Sequence, residues 1–99
     1  MSERFIMVVD EGTTSTRAML YAPDGRVAAT AQAPIEQHYP RPGWVEHDAQ
    51  EIFDKTLCCM REMVAFAGGA DRIAAIGVTN QRETVVAWDR QTGRAITRA

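Results

Sequence analysis

The chain has 99 residues, 45% of them hydrophobic and 24% charged, with a net charge of −2. That is the balance of an ordinary globular domain with a modest core, and it excludes an electrostatic case for nucleic acid or for an anionic membrane surface. No apolar run approaches membrane-spanning length, and the N-terminus lacks the pattern of a signal peptide. The two cysteines, Cys58 and Cys59, are sequence neighbours with no third partner. A disulfide framework is therefore not expected, which fits a reducing cytoplasm and reads both as small helix residues.

Residues 4–10 hold the continuous run Phe-Ile-Met-Val-Val and read as a buried strand that delivers Asp10 to its end. A tight connection, Glu11-Gly12-Thr13-Thr14, leads into a second strand over residues 15–21. Gly12 tolerates backbone angles closed to other residues and leaves room for close approach. Hydroxyls and exposed N–H groups suit phosphate oxygens, and Arg17 adds a fork of donors. A carboxylate beside phosphates is repelled unless a cation intervenes, so Asp10 implies Mg²⁺, held directly or through water. The competing reading is a polar hairpin turn that binds nothing.

Pro23-Asp24-Gly25 is a turn, since proline presets φ and glycine accepts φ > 0. A third strand is expected over residues 26–35, completing an antiparallel meander. Pro40 and Pro42 exclude regular structure around them, and the loop presents Trp44, either to anchor itself or to meet a ligand. Asp48 and Glu51 form a helix start of the capping-box type. From there Ile52, Phe53, Thr56, Leu57, Met60, Met63, Val64 and Ala67 recur at helical spacing until Gly68-Gly69. Residues 73–79 are apolar on both faces and read as a buried parallel strand. Residues 84–89 and 94–99 read as a hairpin around Gln91-Thr92-Gly93. The last strand has neither cap nor closing element, so the chain reads as part of a longer protein.

A second polar cluster, Asn80-Gln81-Arg82-Glu83-Thr84, separates two apolar segments. Arg82 can donate to neighbouring hydroxyls of a small polyol while Glu83 accepts from them, and such a site rejects analogues lacking those hydroxyls. The plainer reading is a solvated connection with an incidental ion pair. His38 and His47 fall outside metal-ligand spacing, and His47, beside the cap, reads as a structural hydrogen-bonder.

Three stretches carry a resemblance: Asp-x-Gly-Thr-Thr-Ser-x-Arg from Asp10, Tyr-Pro-Arg-Pro-Gly-Trp-Val-Glu-His-Asp from Tyr39, and Ile-Gly-Val-Thr-Asn-Gln-Arg-Glu-Thr from Ile76. Together they resemble the FGGY family of carbohydrate kinases, and the last two resemble its glycerol kinase branch. The similarity runs over essentially the whole chain. It implies an α/β, ribonuclease-H-like domain of the actin and hexokinase type, of which residues 1–99 are the N-terminal part, the rest of that domain and a second domain lying elsewhere. It implies ATP- and Mg²⁺-dependent phosphorylation of glycerol to sn-glycerol 3-phosphate by a cytoplasmic, homo-oligomeric parent protein. The roles it implies are Mg²⁺ at Asp10, ATP phosphates at Gly12, Thr13, Thr14, Ser15 and Arg17, and glycerol hydroxyls at Arg82 and Glu83. The general base belongs to a segment outside these residues, so the 99-residue piece is expected to be inactive alone. Glu11 departs from the family, where glutamine is frequent, and its direction stays open. The rivals are a sibling kinase for another polyol or ketose such as xylulose or erythritol, an actin- or chaperone-like nucleotide switch, and a truncated structural module.

Overall fold

The computed structural model describes residues 4–81 and 84–99. Four strands form one sheet in the order β3-β2-β1-β4. Strands β1 (Phe5–Glu11), β2 (Ser15–Tyr21) and β3 (Val27–Pro34) are the expected antiparallel meander. The turn between β2 and β3 closes as its chemistry requires: Gly25, at φ +89°, donates to the Ala22 carbonyl at 2.9 Å, and Asp24 Oδ1 accepts from the Arg26 N–H at 3.0 Å.

Helix α1 (Ala49–Ala67) lies across β2 and β3. Asp48 caps it, accepting from the N–H groups of Gln50 and Glu51, and Gly68 ends it at φ +94°. Glu51 does not serve the reciprocal half of a capping box. Its carboxylate accepts the Glu36 N–H at 3.0 Å and pairs with Lys55 at 3.2 Å, tying the helix start to the segment after β3. The core is Met7, Val9, Ala18, Leu20 and Ala31 from the sheet against Cys59, Met63 and Ala67 of the helix. The period-2 alternation of β1 and β2 sets this face, with Thr16, Ala18 and Leu20 turned to the helix and Ser15, Arg17 and Met19 turned away.

A short 3-10 turn (Ala70–Arg72) leads into β4 (Ile73–Thr79), which pairs in parallel with β1 as expected. Its burial differs from the sequence reading. In this chain β4 is the sheet edge, and residues 74–79 are exposed, Val78 by 71%. An apolar strand can be parallel without being covered when the helix lies over the other strands.

The final hairpin is also slighter than two full strands. It is a turn at 89–93 closed by one bridge between Trp88 and Ala95, with flanking bonds Asp89 N–H to Arg94 O and Ile96 N–H to Ala87 O. Val85, Trp88 and Ile96 are 60–79% exposed, so most of their apolar surface is uncovered among the described residues, and a lone hairpin is marginal. Asp89 accepts from the backbone of Gln91 and Thr92, and those bonds hold its carboxyl below the usual carboxylate range.

Candidate functional site: a hydroxyl loop at the end of the sheet

The loop at residues 12–15 hangs between the ends of β1 and β2. It is closed by one backbone bond, Gly12 N–H to Ser15 O at 2.9 Å. Gly12 is favoured by space rather than by a positive φ: a Cβ there would lie 3.0 Å from that same Ser15 oxygen, a tight contact. Thr13 and Thr14 are exposed at the tip. Their carbonyls are held from one side, Thr13 O by Gln37 Nε2 at 2.8 Å and Thr14 O by the Ile35 N–H at 2.9 Å. Among the described residues, no bond engages the N–H or hydroxyl group of either threonine. Ser15 Oγ accepts from Gln32 Nε2 at 2.8 Å, leaving its own hydrogen to donate elsewhere.

Asp10 and Arg17 stand opposite each other in the β1–β2 register, on the face away from the helix, and their side chains pair at 2.8 Å. The pair engages only Oδ2 of Asp10; Oδ1 has no partner among the described residues. Glu11 takes the other face. Its Oε1 accepts from Thr16 at 2.6 Å and Thr56 at 2.7 Å, beneath α1, and its Oε2 is buried with no partner among the described residues. Glu11, whose direction the sequence left open, points beneath α1, on the face opposite Asp10.

This donor set can be tested against Mg²⁺. No group of three or more His, Cys, Asp or Glu side chains able to hold a metal occurs among the described residues. One carboxylate with a free oxygen fits the way Mg²⁺ is bound at phosphate sites, through one or two carboxylates with the remaining ligands from substrate phosphates and water. A preformed protein cage is not what these residues offer.

A cleft of about 750 Å³ opens beside the loop, with Thr13 and Gln37 on one wall, Trp44 and His47 on another, and Gln81 and Thr84 on a third. Arg82 and Glu83, the residues singled out for a polyol, lie outside the described residues. Gln81 and Thr84 line the cleft, where Thr84 donates to Gln81 Oε1 at 3.0 Å. Trp44 is 51% exposed and carries the Arg41 guanidinium 5.0 Å from its ring centre, so it is a cleft wall as much as an anchor. The 38–46 loop is pinched at its base by reciprocal bonds between His38 and Glu46.

Sequence spacing did not reveal Gln37, which reaches the loop from 24 residues away. It belongs to no motif, and only the return of the chain after β3 brings it to Thr13.

A family model described as the FGGY family of carbohydrate kinases, N-terminal domain, matches residues 5–99. A relative named glycerol kinase from Citrifermentans bemidjiense is 55% identical over 96 residues, covering 96% of this chain and 19% of its own length. Among solved structures, the glycerol kinase of Plasmodium falciparum, crystallised with ADP, superposes with a TM-score of 0.87 at 33% identity, covering 98% of this chain and 20% of that one. A gluconate kinase from Lactobacillus acidophilus superposes equally well, at 0.87 with 25% identity, 98% of this chain and 19% of that one. The chain spans about a fifth of the length of the curated relatives it matches.

Proposed function

Because this chain belongs to the FGGY family of carbohydrate kinases, we propose that the intact protein transfers the γ-phosphoryl group of ATP to glycerol, giving sn-glycerol 3-phosphate. The observation that carries the reading is the shared cleft: Thr13, with its N–H and hydroxyl groups unengaged among the described residues, lines the same cleft as Gln81 and Thr84. Phosphate donor and polyol acceptor need such a common space. Relatives named glycerol kinase at 50–55% identity support glycerol as the acceptor. The fold alone does not separate acceptors, since the gluconate kinase superposes as well.

Phosphoryl transfer depends on positioning and on neutralising charge over the equatorial oxygens. In this reading Thr13, Thr14 and Ser15 donate to those oxygens, and Arg17 supplies a fixed positive charge on the same face. Asp10 would hold Mg²⁺ through Oδ1, directly or by water; when bound, the ion neutralises phosphate charge. Arg82 and Glu83 would set which hydroxyl faces the phosphorus. The residues here contain the N-terminal part of the first of two domains. The general base and most of the adenine pocket belong to the remainder, and closure of the domains would exclude water. The 99 residues alone therefore catalyse nothing in this reading. Two free cysteines are in keeping with a cytoplasmic protein, and no helix of the described residues is long and apolar enough to cross a membrane.

The test is ATP turnover by the intact protein with Mg²⁺, with glycerol, gluconate, xylulose, erythritol or no acceptor, beside Arg82→Ala. Glycerol-dependent turnover that shifts to high glycerol concentration in the variant supports the reading. Turnover with another acceptor points to a sibling kinase, and turnover indifferent to all four points to a nucleotide switch; either overturns it.

A further inference from the structure

Gln37 makes three hydrogen bonds with one side-chain amide, and their arrangement fixes its orientation. Its Nε2 donates to Thr13 O at 2.8 Å and to Ile35 O at 3.0 Å, which uses both amide hydrogens. Its Oε1 must then face His47 Nε2, 3.0 Å away, and that ring nitrogen must be the donor. His47 is only 5% exposed, and its backbone is held by reciprocal bonds with Ala99 at 2.9 and 2.8 Å. A buried, braced imidazole thus points the Gln37 amide at the loop.

The peptide between Thr13 and Thr14 is a rigid trans plane, so the Thr14 N–H points opposite to the Thr13 carbonyl. Gripping that carbonyl aims the Thr14 N–H at the open side of the loop. The Ile35 N–H grips the next carbonyl, that of Thr14. The backbone around Gln37 does not need this side chain to stay in place. Glu36 is fastened to Glu51 of the helix, and His38 to Glu46 across the pinched loop. The Gln37 side chain is therefore free of scaffolding duty and given over to the loop.

We infer that Gln37, braced by His47, is a positioning residue that sets the Thr13–Thr14 peptide for phosphate. Its kinetic consequence rests on the phosphoryl-transfer reading above; its effect on loop order does not. Both should be measured on the intact protein, using Gln37→Met, which keeps the length and loses every polar bond, and His47→Phe and His47→Gln, of which only the second retains a donor.

Exchange of the Gly12 amide, which closes the loop by its bond to Ser15, is expected to speed up about tenfold without nucleotide in Gln37→Met, the scale of one lost hydrogen bond. Exchange in β1 and β2 should stay unchanged. His47→Phe should move the loop in the same direction, and His47→Gln should restore it at least in part. In turnover with ATP and glycerol, kcat should fall about tenfold while the KM for glycerol stays within about twofold. Unchanged loop exchange in Gln37→Met overturns the inference. So does a uniform rise in exchange across the sheet, which would mark a merely structural residue. If the wild-type protein shows no glycerol-dependent turnover, the function reading fails, and loop exchange still decides whether the clamp exists. If turnover is present but kcat is untouched in Gln37→Met, the positioning role fails and the function reading stands.

Discussion

Asp10 and Glu11 are adjacent carboxylates that work on opposite faces of one strand. Asp10 pairs with Arg17 on the face open to the hydroxyl loop, and Glu11 is drawn beneath the helix by Thr16 and Thr56. Both partners follow from register, Asp10 opposite Arg17 and Glu11 opposite Thr16, so the pleat separates the two charges. A second acidic residue next to the loop is thus compatible with the phosphate binding proposed for it, because its charge is turned to the other face.

Glu11→Gln is expected to be nearly neutral. A glutamine oxygen can accept from the same two hydroxyls, and Oε2 has no partner to lose among the described residues. Glu11→Ala removes the acceptor between two strands and a helix. The Thr16 hydroxyl can still turn to Thr56 at 3.1 Å, and Thr56 to the Ile52 carbonyl at 2.7 Å. That limits the cost to about 1–2 kcal/mol. Denaturant unfolding of the two variants measures it, and an alanine variant as stable as glutamine would contradict the account.

Arg17→Ala separates stability from activity. The pair with Asp10 is partly exposed, 42% and 33% by side chain, so its loss should change stability by less than about 1 kcal/mol. Under the proposed function the KM for ATP should rise about tenfold, the scale of one charge-assisted hydrogen bond to phosphate. A melting temperature that collapses while KM holds would place Arg17 in the scaffold instead.

Gly12→Ala pushes a methyl group to 3.0 Å from the Ser15 carbonyl, the oxygen that closes the loop by accepting the Gly12 N–H. The Ser15 carbonyl must give way by a few tenths of an ångström to admit it, which loosens the closing bond. A stability loss of about 1 kcal/mol is expected, together with a fall of about tenfold or more in kcat/KM as the donors lose their alignment. Full activity in this variant would show that the closed turn is not the working geometry.

The two neighbouring cysteines should differ in reactivity. Cys58 is exposed and Cys59 is buried. Burial first, then the charge of Glu62, pushes the Cys59 thiol above its ordinary pKa, with smaller contributions from Cys58 and Glu11. A raised pKa means less thiolate at any given pH, so alkylation of Cys59 should begin at higher pH than for a free thiol. Peptide mass spectrometry of the native protein after iodoacetamide, across pH 7–9, checks this. Equal labelling of both residues at pH 8 would refute it.

Much of the fold was legible because its signals are local. The apolar run before Asp10, the proline–glycine turn after Tyr21, and the helix between Asp48 and Gly68 each follow from neighbours a few residues apart. The sequence was less informative about cover. Val78 is apolar enough to read as buried, yet burial depends on what lies over it, which no local pattern states.

The strand ends, the loop chemistry and the membership in a kinase family were written in residue types at short spacing: two carboxylates, a glycine, four hydroxyls and an arginine within eight positions. Direction and partnership were not. Glu11 faces the helix only because the β1–β2 register sets it opposite Thr16 and the helix brings Thr56 over it. Gln37 meets Thr13 only because the chain turns back past the loop after β3, where His47 orients its amide. Such contacts span 24 to 45 residues. They are decided by how sheet and helix pack, and a linear reading carries no term for that.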